Sequence, residues 1–441
     1  MKTVGIVAEF NPFHNGHARF IEHLRDPLGP VHATHIVAVM SGNFVQRGEP
    51  AILSKYDRVK AALAGGVDLV IELPTPWVLQ SAEHFAKGSI SLLNALQVVD
   101  ILAFGSECGD TEILNKVSQT MQTDKYQSLL RYHIPGGISY AQAQQKALEE
   151  ILGTKTASIL EQPNNTLGIE YLKALHDLNS SIQFYTKKRE GVEHDSQKPL
   201  GDLASASYIR NLLRENHYVN ALPFIPGETR DILNEAIKEG FCPSSIENSE
   251  RALLYKLRQM SPEDFLNFPG ISEGLENRFY EAVQKSATVK ELLDTCKTKR
   301  YPLTRLQRIL WCAYLDISKK DTKGLPPYIR PLGATEVGMD LLRLAKKKGC
   351  TLPVISRVSK VGELDDNGKQ IWEIEKRTSD LYGLTLPTPS LCNLEYTKGI
   401  IKINSTLYKM TKKKKRIKRT IRFILAFLCC ATPDRNLSKL C

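Results

Sequence analysis

Five short apolar runs, at 3–8, 34–40, 68–73, 99–105 and 182–187, recur through the first 215 residues with amphipathic helical patterns between them. This alternation is the strongest constraint on the fold. The helical patterns fall at 15–25, 54–64, 81–95, 110–122, 139–153, 165–178 and 205–215. A chain that alternates strand and helix lays its strands side by side in parallel and covers both faces with helices. The expectation is an α/β fold with a Rossmann-like parallel sheet. Ligands of such sheets collect outside the carboxyl ends of the strands.

From 216 to 403 the strand rhythm fades. Helical patterns at 229–239, 249–259, 276–285, 303–318 and 336–348 dominate, interrupted by an extended stretch at 352–358 and a Pro-rich region at 386–390. The organisation predicted is a ligand-binding domain at 1–215, a mainly helical second domain at 216–403, and a tail at 404–441. The tail reads as a basic, disordered extension. Its apolar run, Phe423 to Ala431, is nine residues long, about half of the ~20 that span a bilayer, so no stable membrane association is expected.

Net charge needs to be located before it is interpreted. The chain carries +11, but the tail holds eleven Lys/Arg against Asp434 alone, leaving residues 1–403 at +1. Any nucleic-acid binding by the body must rest on local patches. Nine scattered cysteines without a Cys-x-x-Cys argue against a disulfide framework or zinc site, and fit a reducing, cytoplasmic setting. No signal peptide is expected ahead of the first strand.

The first strand leads into Glu9-Phe10-Asn11-Pro12-Phe13-His14-Asn15-Gly16-His17 and a helix start. The opening N–H groups of a helix lack partners and its dipole favours anions. Two imidazoles three residues apart share one face of that turn, and Gly16 lets backbone approach a ligand closely. Together they suit nucleotide phosphates. A metal would need a third ligand, for which Glu9 is the nearby candidate, and no metal site is expected. Four further segments are distinctive: the loop Ser41 to Pro50 with Arg47; Phe104-Gly105-Ser106-Glu107; Pro163-Asn164-Asn165; and Lys187-Lys188-Arg189 followed by Ser205 to Arg210.

These motifs resemble the nucleotidylyltransferase superfamily with the His-x-Gly-His signature, and Ser207-Tyr208-Ile209-Arg210 looks like its Ser/Thr-x-Ile-Arg motif. More narrowly, the chain resembles the bacterial tRNA(Met) cytidine acetate ligase family. That likeness runs from Gly5 to His17 and through Ser41 to Pro50, Asp68 to Pro74, Phe104 to Glu107 and Pro163 to Asn165. It continues in Thr304 to Leu310 and Tyr328 to Gly333, so it spans about 1–400. The resemblance implies a nucleotidylyltransferase-type sheet and an enzyme that converts ATP and acetate to acetyl-adenylate. The acetyl group then passes to the wobble cytidine of elongator tRNA(Met), giving N4-acetylcytidine. It implies an ATP site at Val7, Ala8, Glu9, Phe10, Asn11, Pro12, Phe13, His14, Asn15, Gly16, His17, Ala18, Arg19 and Phe20, with Gly105, Asn164 and Arg189. Asn165 and Lys188 are the near alternatives for the last two.

In such a reaction His14 and His17 donate to phosphates, and Mg2+ is expected on the pyrophosphate. Arg47, Ser207 and Arg210 are candidates for phosphate or acetate contacts. For tRNA, Lys297, Lys299 and Arg300 join Arg305 and Arg308, which fall off the apolar stripe of their helix. The rival reading is a small-molecule nucleotidyltransferase acting on a phosphorylated metabolite. A helical domain of about 190 residues is more surface than a small acceptor needs.

Overall fold

The computed structural model describes residues 1–134, 138–189, 198–272 and 274–403; the tail expected at 404–441 lies outside them. Among the described residues nine strands form: β1 (Thr3–Ala8), β2 (His35–Ser41), β3 (Phe44–Val45), β4 (Glu49–Pro50), β5 (Leu69–Leu73), β6 (Ile101–Ser106), β7 (Gln183–Lys188), β8 (Pro331–Thr335) and β9 (Ile401–Ile403). Seven make one sheet in the order β7-β6-β1-β2-β5-β8-β9, and β3 and β4 form a small hairpin. The five expected strands pair in parallel, and β8 runs antiparallel to β5.

Strand alternation builds a core on each face. In β2, Ile36, Ala38 and Met40 enter one apolar cluster while Val37 and Val39 enter the other, as the two-residue period requires. The chain steps from β1 to β2 and β5 on one side, then returns to β6 and β7 on the other. The strand order therefore reverses beside β1, and a crevice opens at the carboxyl ends of β1 and β6.

Residues 216–403 are mainly helical, with helices Gly227–Lys238, Glu250–Arg258, Leu275–Lys285, Leu303–Tyr314 and Glu336–Lys347 near their expected places. The expected extended stretch at 352–358 makes only an isolated bridge, Val354 to Ile329. This half also returns β8 and β9 to the sheet, which its sequence does not announce. Pro331 sits where the ladder shifts register between Val70 and Ile71. Gly333 is required there because a Cβ would lie 2.3 Å from the Val59 side chain.

A buried ion cluster ties this half to the sheet. Lys55 Nζ lies 2.5 Å from Glu72 and 2.7 Å from Glu395, while Arg330 pairs with both carboxylates and lies over the Trp372 ring at 4.3 Å. Burial works against the Lys55 charge, but Glu395 and Glu72 outweigh it and lift its pKa. Asn43 joins the same cluster: its Oδ1 accepts from Lys55 N–H and its Nδ2 donates to Ser379. The loop after β2 is thereby anchored by residues more than 300 positions away.

Candidate active site

The crevice beside β1 is a cavity of about 560 Å3, large enough for a nucleotide. Its walls come from the end of β1, the first turn of helix α1 (Asn15–Arg25), the hairpin loop, the end of β6, and the helices Pro163–Asp177 and Ala206–Arg214.

His14 caps α1. Its Nδ1 accepts the Gly16 N–H at 3.0 Å, and His17 Nδ1 accepts the His14 N–H at 3.2 Å. A ring nitrogen that accepts a backbone N–H carries no proton, so both imidazoles hold theirs on Nε2. The rings stack, with centroids 3.8 Å apart. Burial and the charges of Arg189 and Arg210 lower the His14 pKa to about 3; burial, His14 and Arg189 hold His17 well below its usual range. At neutral pH the pair offers two uncharged N–H donors, not two cations.

Arginines supply the charge. Arg210 Nη1 donates to the Asn11 carbonyl at 2.9 Å, and its buried Nε pairs with the Glu49 carboxylate at 3.8 Å. The Arg189 side chain crosses Gly105, where a Cβ would lie 3.3 Å from its Cγ, and its Nη1 reaches Asn164 Oδ1 at 3.4 Å. Arg47 and Ser207 also line the cavity.

Glu107 fixes the two asparagines differently. It accepts from Asn164 N–H and Nδ2 and from Asn165 N–H, capping the helix, while Asn165 Oδ1 accepts from Glu107 N–H and Cys108 N–H. Asn164 faces the cavity with Lys188 and Arg189, and Asn165 does not.

Not every residue of 7–20 reaches the cavity. Val7, Ala8, Glu9, Phe10, Asn11, His14, Gly16, His17, Arg19 and Phe20 line it; Pro12, Phe13, Asn15 and Ala18 do not. Phe13 is buried against Gly65, where any Cβ would lie 2.1 Å from the ring. Asn15 instead donates to the carbonyls of Asp202 and Pro223, and Arg19 pairs with Asp202 at 2.5 Å. Asn11 Oδ1 accepts the Ile52 N–H, and Phe10 adopts a φ of 47°, turning the chain sharply after β1.

The hairpin loop is held on three sides. Gln46 N–H donates to Glu9 Oε1 at 2.7 Å, Arg308 donates to the Gln46 carbonyl at 3.2 Å, and buried Arg58 donates to the Glu9, Ser41 and Gly42 carbonyls. Two of the expected RNA contacts, Arg308 and Arg305, make hydrogen bonds within the protein. Arg308 is engaged beneath the hairpin, with its pKa lowered to about 10 by burial. Arg305 donates to the Gly270 carbonyl and Ser272 and lies 5.2 Å from the Tyr301 ring centroid. An arginine off the apolar stripe of a helix can still be consumed by a neighbouring loop. Lys297, Lys299 and Arg300 are exposed.

The ion cluster of Lys55, Glu72, Arg330, Glu375 and Glu395 was not anticipated as a support for the site. Its signal was present: Glu72 inside the apolar run Leu69 to Leu73 demands a buried counter-charge. Among the described residues, no group of three or more His, Cys, Asp or Glu side chains is placed to hold a metal ion. No helix among them is long and apolar enough to cross a membrane.

Comparison with known proteins agrees with this geometry. The HIGH Nucleotidyl Transferase family model matches residues 1–398. A tRNA(Met) cytidine acetate ligase of a Thermoanaerobacter species is 39% identical over 408 residues, 91% of this chain and 100% of that one. The protein of the same name from Acetivibrio thermocellus is 37% identical over 417 residues. Two crystal structures of Thermotoga maritima TmcAL, both 32% identical and covering 91% of this chain and 100% of theirs, superpose well. The apo form has a TM-score of 0.87 and the form bound with alpha-thio ATP 0.85. The chain belongs to the tRNA(Met) cytidine acetate ligase family of HIGH nucleotidyl transferases.

Proposed function

We propose that this protein is an ATP-dependent acetate ligase that forms acetyl-adenylate and acetylates the wobble cytidine of elongator tRNA(Met) to N4-acetylcytidine. The observation that carries the reading is the paired, neutral Nε2–H donors of His14 and His17 beside the Arg189 and Arg210 guanidiniums in a cavity at a strand-order reversal. Family membership supplies the substrates.

In the first step an acetate oxygen attacks the α-phosphorus and the bond to the β-phosphate oxygen breaks. Charge grows on the equatorial oxygens and on pyrophosphate, so fixed donors accelerate the step more than a nucleophile would. We assign that work to His14, His17, Arg189 and Arg210. Arg47 and Ser207 are assigned to acetate or the outer phosphates. Mg2+, when bound, neutralises pyrophosphate charge; with no carboxylate cage among the described residues, it would ride on the nucleotide.

In the second step the acetyl group passes to the cytidine amine, and alignment replaces a bimolecular encounter. We assign catalysis to 1–215 and tRNA holding to 216–403, with Lys297, Lys299 and Arg300 on the RNA side. The reading places the reaction in the cytoplasm with its tRNA.

Radiolabelled acetate, incubated with the protein, ATP, Mg2+ and bulk tRNA, should enter tRNA at cytidine. Acetate-dependent pyrophosphate release without transfer to RNA overturns the RNA half. Transfer of a nucleotide to a phosphorylated metabolite supports the rival reading.

A further inference from the structure

Phosphate chemistry calls for cations and N–H donors, yet the cavity also carries carboxylates. Among the described residues lining it these are Glu9 and Glu161. Glu161 is exposed and accepts from Gln145. Glu9 stands within, at the end of β1. An acid beside a triphosphate opposes nucleotide binding, so its presence needs a separate reason.

The Glu9 side chain is oriented. Its Oε1 accepts the Gln46 N–H at 2.7 Å and its own carbonyl accepts from Arg58 at 2.5 Å. Oε2 has no hydrogen-bond partner among the described residues, and the residue is part-exposed to the cavity. The groups facing it are Arg47 from the loop, Arg58 from α2 (Lys55–Ala64), Arg210 from Ala206–Arg214 and Tyr171 from Pro163–Asp177. Burial raises the Glu9 pKa, while the Gln46 bond and the arginines pull it back. Burial makes this carboxylate a better proton acceptor than an exposed one.

Acyl transfer needs what adenylation does not: an acceptor for the proton of the attacking amine. A carboxylate is also the natural acceptor for the exocyclic amine of cytosine, whereas uracil presents an oxygen there. We propose that Glu9 is the catalytic base of acyl transfer, its Oε2 accepting a hydrogen bond and then a proton from the exocyclic amine of the target cytidine. This rests on the function proposed above. The amine nitrogen forms a bond to the acetyl carbonyl carbon. The bond from that carbon to the phosphate oxygen breaks, AMP leaves with the electron pair, and the amine proton goes to Oε2.

Glu9→Gln keeps the volume and an oxygen for the Gln46 N–H but removes basicity. Two rates are compared: acetate-dependent exchange of pyrophosphate into ATP, and single-turnover transfer of labelled acetyl to tRNA. Transfer should fall roughly 10²–10⁴-fold, at least thirty-fold further than exchange. The wild-type transfer rate should rise with pH through an inflection absent from the variant, and Glu9→Asp should recover part of it. Equal losses in both rates, or no loss in transfer, overturn the role of Glu9. A wild type that exchanges pyrophosphate but never acetylates cytidine refutes the underlying function, and this role with it.

Discussion

Replacing Lys55 by Met tests whether the buried ion cluster holds the two halves of the chain together. Lys55 Nζ sits 2.5 Å from Glu72 and 2.7 Å from Glu395, with all three side chains at most 1% exposed. At an effective dielectric near 20, each contact is worth roughly 6 kcal/mol of gross attraction. Most of that offsets the cost of stripping three charges of water. Removing the lysine leaves two buried carboxylates facing Arg330 alone, which costs about 3–5 kcal/mol. For a cooperative unit of about 400 residues this lowers Tm by about 4–6 °C. Calorimetry at pH 7.5 reads the shift directly. Lys55→Met combined with Glu395→Gln removes one of the two carboxylates that the lysine had paired and should recover about half of the loss. A single variant within 2 °C of wild type, or a double variant no more stable than the single, refutes the reasoning.

His17→Ala should cut acetate-dependent pyrophosphate exchange by roughly 10²–10³-fold, the cost of one lost donor to a developing oxyanion, with circular dichroism unchanged. Because folded His14 titrates near 3 and an unfolded histidine near 6.5, the unfolded chain takes up the proton first. Stability should be full above about pH 6.5 and fall on acidification toward 3; NMR showing His14 titrating near 6.5 in the free protein contradicts the neutral pair. Gly48→Ala places a Cβ 2.6 Å from the Arg308 backbone nitrogen at a φ of 78°, so it should cost about 1–3 kcal/mol and reduce exchange by displacing Gln46 and Arg47. Arg308→Ala should likewise weaken exchange by releasing Gln46. Joint alanine replacement of Lys297, Lys299 and Arg300 should instead lower tRNA affinity and flatten its salt dependence; a reversed pattern, read by filter binding, refutes the division.

The five parallel strands, the helices between them and the histidine pair at the first strand exit were readable because their causes are local. Side-chain period, helix caps and the chemistry of a few adjacent residues fall within a short window. Even the choice of family rested on contiguous blocks, such as Glu9 to Phe13 and Ser41 to Pro50.

Tertiary structure decided what depends on distant partners. β8 carries no strand signal of its own, because only its packing on Val59 and β5 explains Pro331 and Gly333. Arg305 and Arg308 passed for surface cations until a glycine carbonyl and a hairpin loop consumed them. Asn164 and Asn165 are equivalent in sequence; which one faces the cavity follows from how Glu107 grips the helix start. The sequence by itself determined an α/β nucleotide-binding chain with donors at the first strand exit. The fold decided the charge state of those histidines, through burial and two remote arginines, and left Glu9 with a free oxygen in the cavity, because both depend on groups that meet only when the sheet closes.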